Sequence, residues 1–186
     1  MDTGIMNLEA DAQGVVDGWQ NHYSSLFGKH TIKLQHRLTE SGLFKEDVLS
    51  ELIDRYPREL YNLNTLGADA RKKNWREGHL GDVSGAEVIR AIKTGNLWLN
   101  LRNIMSVDKR YDDLLQSIFA DFEGKVPGLK TFKQTMGVLI SSPNMQVLYH
   151  SDVPGQALWQ IEGRKRLYVY PNTAPFLNQQ GLEGLI

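Results

Sequence analysis

His150 and Asp152 stand two residues apart in the string YHSDVPGQALWQIEGRKRLYVYP, residues 149–171. In an extended segment side chains alternate between faces, so residues two apart share one face. An imidazole nitrogen and a carboxylate oxygen on one face can hold a single metal ion. They make two thirds of a 2-His-1-carboxylate set, which leaves coordination positions open for other ligands. A lone H-x-D triplet more often caps a turn or meets solvent, so its weight comes from the residues downstream. A hairpin comes next, and its return strand carries Lys165, fifteen residues after His150. Alternation puts Lys165, Leu167 and Val169 on one face. A lysine facing an apolar interior is costly unless an anion meets its ammonium. A dicarboxylate chelating the metal through a keto-acid end would bring its far carboxylate to that ammonium. The bland alternative is a solvated lysine in the run Gly163-Arg164-Lys165-Arg166, and Arg164 and Arg166 are read in that way. Gln156, Leu158 and Gln160 alternate on one face; Gln156 or Gln160 contacts co-substrate or substrate, or else satisfies buried backbone.

The elements that would position these residues belong to a chain with the composition of a globular domain. Its 186 residues suffice for one domain with a core that stands without staples. Hydrophobic residues at 41% and charged residues at 23% are globular values. With 21 basic and 22 acidic residues the net charge is −1, so no overall field draws the chain to nucleic acid or to an anionic membrane. There is no cysteine, which excludes disulfides, thiolate metal sites and cysteine nucleophiles. Any metal must be held by His, Asp or Glu. The N-terminus carries Asp2, Glu9 and Asp11 and no apolar run, unlike a signal peptide. No stretch nears the ~18–20 apolar residues of a membrane span. The expected location is therefore cytoplasmic.

Along the chain, Thr31 to Leu38 alternates like a half-buried strand. Val48, Leu49, Leu52, Ile53 and Tyr56 give helical spacing from about Lys45 to Tyr56, closed by Pro57. Residues 61–83, with three glycines and the charged run Asp69 to Glu77, read as loop. Ser84 and Glu87 form a capping box that opens a helix through Lys93, stopped at Gly95. Leu97 to Arg102 alternates as a strand. Its Trp98, Asn100 and Arg102 face is either a surface or a pocket lining. Ser106 would cap a helix from about Val107 to Phe122. Beyond Val126-Pro127-Gly128 the pattern turns β-rich, with strands expected over Phe132 to Ile140, Gln146 to His150, Gln156 to Ile161 and Arg166 to Tyr170. Trp159 and Tyr168 read as packing residues, and His36 as a satisfied structural one. Helices first and strands later suggest α+β rather than alternating βαβ.

The segment 141–171 resembles the cupin-like branch of the JmjC-type oxygenases, which use Fe(II) and 2-oxoglutarate. Ser141-Ser142-Pro143 is similar to the turn before that family's metal-binding strand. His150 and Asp152 match its H-x-D. Gln160-Ile161, Gly163 and Lys165-Arg166 match its Q-I-x-G-x-K-R hairpin, and Tyr170-Pro171 matches the close of that strand. The resemblance covers about thirty residues. It implies a double-stranded β-helix, or jelly roll, with residues 1–130 as an α-rich region lending a few strands and 131–186 as the first part of the barrel, in one domain. It implies that His150 and Asp152 hold Fe(II), and that Lys165 takes the far carboxylate of 2-oxoglutarate. The activity implied is that of a dioxygenase, a hydroxylase of a protein or small-molecule substrate, with homodimers common in the family.

Two departures stand out. Many members carry a threonine three residues before the metal histidine to help bind the co-substrate, and here that position is Val147. The family's third ligand is a histidine on a later strand, whereas His22, His30, His36 and His79 all precede the motif. The last barrel strands are therefore expected beyond this sequence. Both departures keep open a non-catalytic cupin-like metal- or ligand-binding module, a sensor or scaffold.

Overall fold

The computed structural model describes residues 14–65, 76–147, 150, 155–171 and 173–176. Among these the architecture is mixed α+β with antiparallel sheets. A two-stranded sheet pairs β1 (Val16–Asp17) with β2 (Gln35–His36). A four-stranded sheet runs in the order β4-β3-β5-β6, from β3 (Tyr61–Thr65), β4 (Arg76–Gly78), β5 (Leu97–Leu101) and β6 (Val138–Ser141). Its three pairings are all antiparallel. The helices are α1 (Tyr23–Leu26), α2 (Glu46–Asp54), α3 (Gly85–Thr94), α4 (Ile104–Val107) and α5 (Lys109–Lys125).

Local chemistry accounts for the helix ends. The capping box of α3 forms as expected: the Ser84 hydroxyl accepts from the Glu87 N–H, and the Glu87 carboxylate accepts from the Ser84 N–H at 3.1 Å. α2 and α3 pack so closely that a Cβ on Gly85 would strike the Ser50 carbonyl, so only glycine fits there. The Gly85 N–H donates to the Asp54 carboxylate at 2.6 Å, tying one helix end to the other. α5 begins later than expected. Its cap is Asp108, whose carboxylate accepts from the Arg110 N–H at 3.0 Å. Ser106 lies instead within the short helix α4, after Asn103 in the left-handed region at φ 53°.

Alternation divides the large sheet into two faces. Leu99 and Leu101 are fully buried, together with Leu52, Ile104 and Tyr111. Tyr61, Leu63, Val138 and Ile140 join them on the inner face, against α3, in one core with the buried side of α5. The Tyr111 hydroxyl donates to the Leu43 carbonyl at 2.6 Å, which settles the one polar atom that this buried ring brings inside.

Several expectations are corrected. Residues 61–83 are not simply loop, because β3 and β4 pair there in register Leu63↔Gly78, Asn64↔Glu77 and Thr65↔Arg76. The strand expected over Thr31 to Leu38 shrinks to Gln35–His36, because the chain enters a 3-10 turn at Leu38–Ser41. The strand expected from Phe132 starts only at Val138. Lys133 sits at φ 52°, which an extended strand does not allow, and Phe132 is 82% exposed. The described residues of the expected strands 146–150, 156–161 and 166–170 are in no ladder. Tyr168, read as packing, is 68% exposed. No closed barrel forms among the described residues.

Candidate functional site

The motif segment begins where β6 ends. Ser142, buried at the turn, donates its hydroxyl to the Ile92 carbonyl at 2.5 Å and accepts from the Leu97 N–H at 2.9 Å. These two bonds of one side chain pin the Ser-Ser-Pro turn to α3 and to the start of β5. Asn144 comes next at φ 60°, so the chain reverses there.

His150 is exposed, as are Gln156, Gln160 and Lys165. Asp152, the second expected metal ligand, lies outside the described residues, as does Tyr149. Among the described residues no group of three or more His, Asp or Glu is arranged to hold a metal ion. Of the two expected iron ligands, the structure describes His150 alone.

Gln160 is engaged through both its ends. Its side-chain amide donates to the Glu162 carbonyl at 2.5 Å, and its own carbonyl accepts from His36 Nε2 at 3.1 Å. His36 Nδ1 in turn accepts from the Leu38 N–H at 3.3 Å. Both ring nitrogens are thus engaged. His36 is a structural latch and no metal ligand. Trp159 lies beside it, edge to face with His36 at 5.5 Å and 5.9 Å from Phe122. These contacts dock the segment around Trp159 on β2 and α5.

Lys165 reaches the large sheet. Its Nζ lies 5.6 Å from the centroid of the Trp98 ring, a cation–π approach. No carboxylate pairs with Lys165 among the described residues. The two residues are separate candidates in the sequence, 67 positions apart, and the fold brings them together. Around Trp98 the outward sheet face is largely polar, with the exposed Leu139 opposite Asn100 as its apolar member. Asn64 and Ser141 are its direct cross-strand neighbours, Asn100 lies two residues along its own strand, and Asn62 pairs with Asn100. Asn62, Asn64 and Asn100 are half-buried, yet no side-chain hydrogen bond engages any of them among the described residues. Arg102, expected on this face, is committed elsewhere: its guanidinium donates to the Glu59 carbonyl at 2.5 Å.

Asn62 and Asn64 are not candidates in the sequence, because residues 61–83 read there as loop. A signal is nevertheless present in Tyr61-Asn62-Leu63-Asn64-Thr65, which has the period of two of a half-buried strand. An open acidic hollow elsewhere, lined by Glu46, Asp47, Ser50, Glu51 and Ala86, shares no residue with the motif. Among the described residues no helix is long and apolar enough to cross a membrane. Comparison with family models, with curated proteins and with solved structures found no match.

Proposed function

We propose that this chain carries the co-substrate half of an Fe(II)- and 2-oxoglutarate-dependent oxygenase, a hydroxylase of a protein or small molecule, built on a cupin-like β-helix and working in the cytoplasm. The observation that carries this reading is the meeting of Lys165 with the polar face around Trp98. This exposed ammonium has no carboxylate partner among the described residues and lies over an aromatic ring on a largely polar sheet face, which leaves it open to an anion. The H-x-D at His150 and Asp152, fifteen residues upstream of that lysine, supplies the metal-binding half in the sequence. Iron would be held by His150, Asp152 and a third ligand that the described residues do not contain. The part assigned to this chain's own residues is to hold the far carboxylate through Lys165 and to fix its orientation on the sheet.

The test is succinate formation from 2-oxoglutarate with added Fe(II), in a protein containing this chain. Turnover that His150→Ala abolishes is the expected result. Equal turnover in His150→Ala and wild type overturns the proposal. The second reading, a ligand-binding module without turnover, is favoured by Val147, which lacks the hydroxyl expected beside the co-substrate. Its mark would be 2-oxoglutarate binding without succinate release.

A further inference from the structure

Position 14 needs glycine because of a close approach. A Cβ there would run into the Asp121 carboxylate on α5, so the backbone reaches that acid only without a side chain. The same carboxylate accepts from the Val16 N–H at 2.7 Å and pairs with Lys125. Its side chain is only 9% exposed, so these partners satisfy a nearly buried charge. Together with the buried Val15 and Val16, they seat the start of β1 on a helix 105 residues away in the chain.

From that seat a series of contacts runs to the motif segment. β1 pairs with β2 in the register Val16↔His36, and the Arg37 N–H donates to the Val15 carbonyl at 3.0 Å. His36 is thereby placed with its Nε2 3.1 Å from the Gln160 carbonyl and its ring edge to face with Trp159. In the same N-terminal stretch, Trp19 and Phe27 pack on Phe122, with ring centroids 6.2 and 5.1 Å away. Trp159 packs on that ring too, at 5.9 Å. Trp159 thus lies between His36 and Phe122, and residues 14–36 supply the one and back the other. β1 and β2 are two residues each. So short a ribbon does not hold its place alone, and its position depends on the seat at Asp121.

We propose that residues 14–36 are a strap that latches the motif segment. Seating Gly14 and Val16 on Asp121 sets His36 through the β1–β2 pair, and His36 docks Trp159 and Gln160. Drawing the N-terminal stretch off α5 opens the latch and releases the segment around Trp159, while the helices and the large sheet persist. The strap is defined by docking and not by turnover, so it does not depend on the oxygenase reading.

Fluorine NMR of the full chain labelled with 5-fluorotryptophan tests it, with the resonances assigned through Trp19→Phe and Trp159→Phe. In Gly14→Ala the Trp159 resonance is expected to move most of the way toward its position in the urea-unfolded protein, with far-UV circular dichroism unchanged. Asp121→Ala removes the seat and also the acid that an added methyl would strike. It should shift Trp159 likewise, and Gly14→Ala should add nothing in that background. Asp121→Asn keeps an oxygen for the Val16 N–H and should shift Trp159 less than Asp121→Ala. A Trp159 resonance that stays in place in folded Gly14→Ala and Asp121→Ala overturns the strap, whether or not Trp19 moves. A further shift on adding Gly14→Ala to Asp121→Ala overturns the seat as its cause.

Discussion

Every buried side chain among the described residues lies between Val15 and Ser142, whereas among the described residues from Gly155 to Phe176 only Trp159 and Ile161 are even half-buried. The first region is a body in which helices and sheet cover each other's apolar sides. The second carries most of the chemistry legible in the sequence and rests on that body at a few points. Trp159 packs on Phe122, His36 bonds Gln160, and Lys165 meets Trp98. The contrast separates two tasks. Stability resides in the body, while the motif segment borrows its position from it. Leu158, Leu167, Tyr168, Val169 and Tyr170 remain exposed by 47–68%, so alternation in that segment is not matched by a partner layer among the described residues.

The largest effect should come from the core. Leu99→Ala removes a fully buried side chain from the central strand and should cost about 3 kcal/mol in denaturant unfolding. A loss below about 1 kcal/mol would break the contrast from the side of the body.

Next comes Asp108, whose buried carboxylate joins Arg110 at 2.7 Å and Arg55 at 2.5 Å and caps α5. The hydrogen bonds from Arg110, chiefly its guanidinium, hold this carboxyl well below the usual carboxylate range, and Arg55 adds to the effect against the opposing influence of burial. A carboxyl depressed on folding binds protons more readily when unfolded. Its stabilisation is therefore complete above the unfolded value of ~3.9 and is lost as pH falls through it toward the folded one. Both arginines are partly exposed, and water screens the pair. Asp108→Asn should cost about 2 kcal/mol at neutral pH. The gap to wild type should narrow as the pH is lowered from about 5 to about 3; a gap that stays constant or widens would reject this role.

Trp159→Ala probes the joint between the two regions. It should lower global stability by only about 1 kcal/mol. Amide exchange, in contrast, should accelerate across residues 155–171 while α5 stays protected. Uniform acceleration throughout the molecule would mean that the segment and the body are one cooperative unit. The smallest effect is expected from Leu167→Ala. The side chain is 61% exposed, and its loss should change stability by no more than about 0.5 kcal/mol. A cost matching that of Leu99→Ala would place Leu167 in a second core and sharpen the case for a closed barrel.

Particular elements show what can be read in advance. α2, α3 and β5 carry strong periodicity with clear stops, and they form within a residue or two of expectation. The capping box of Ser84 and Glu87 is a contact over three residues, so the sequence suffices for it. β3 and β4 stay hidden in the sequence because their pairing partners decide them. Tyr61–Thr65 is a strand chiefly because Leu97–Leu101 lies beside it in register. The start of α5 differs from expectation because two polar residues, Ser106 and Asp108, compete to cap it. The outcome turns on Arg55, 53 residues away, and Arg110, which both engage Asp108.

For the candidate site, the residue types and spacing determined the chemistry on offer. Without cysteine, any metal must be held by His, Asp or Glu, and the H-x-D of His150 and Asp152, with Lys165 and the glutamines downstream, is the expectation that the residue types raise. These are properties of short segments, and alternation along one strand is enough to state them. Only the tertiary structure decided which surface Lys165 meets. It turned the Gln160 amide to the Glu162 carbonyl and bonded its own carbonyl to His36. It placed the ammonium over Trp98 and arrayed the asparagines of two strands beside it. The physical reason is that a cross-strand register joins residues far apart in the chain through backbone hydrogen bonds, and a pattern local to one strand carries no information about its partner.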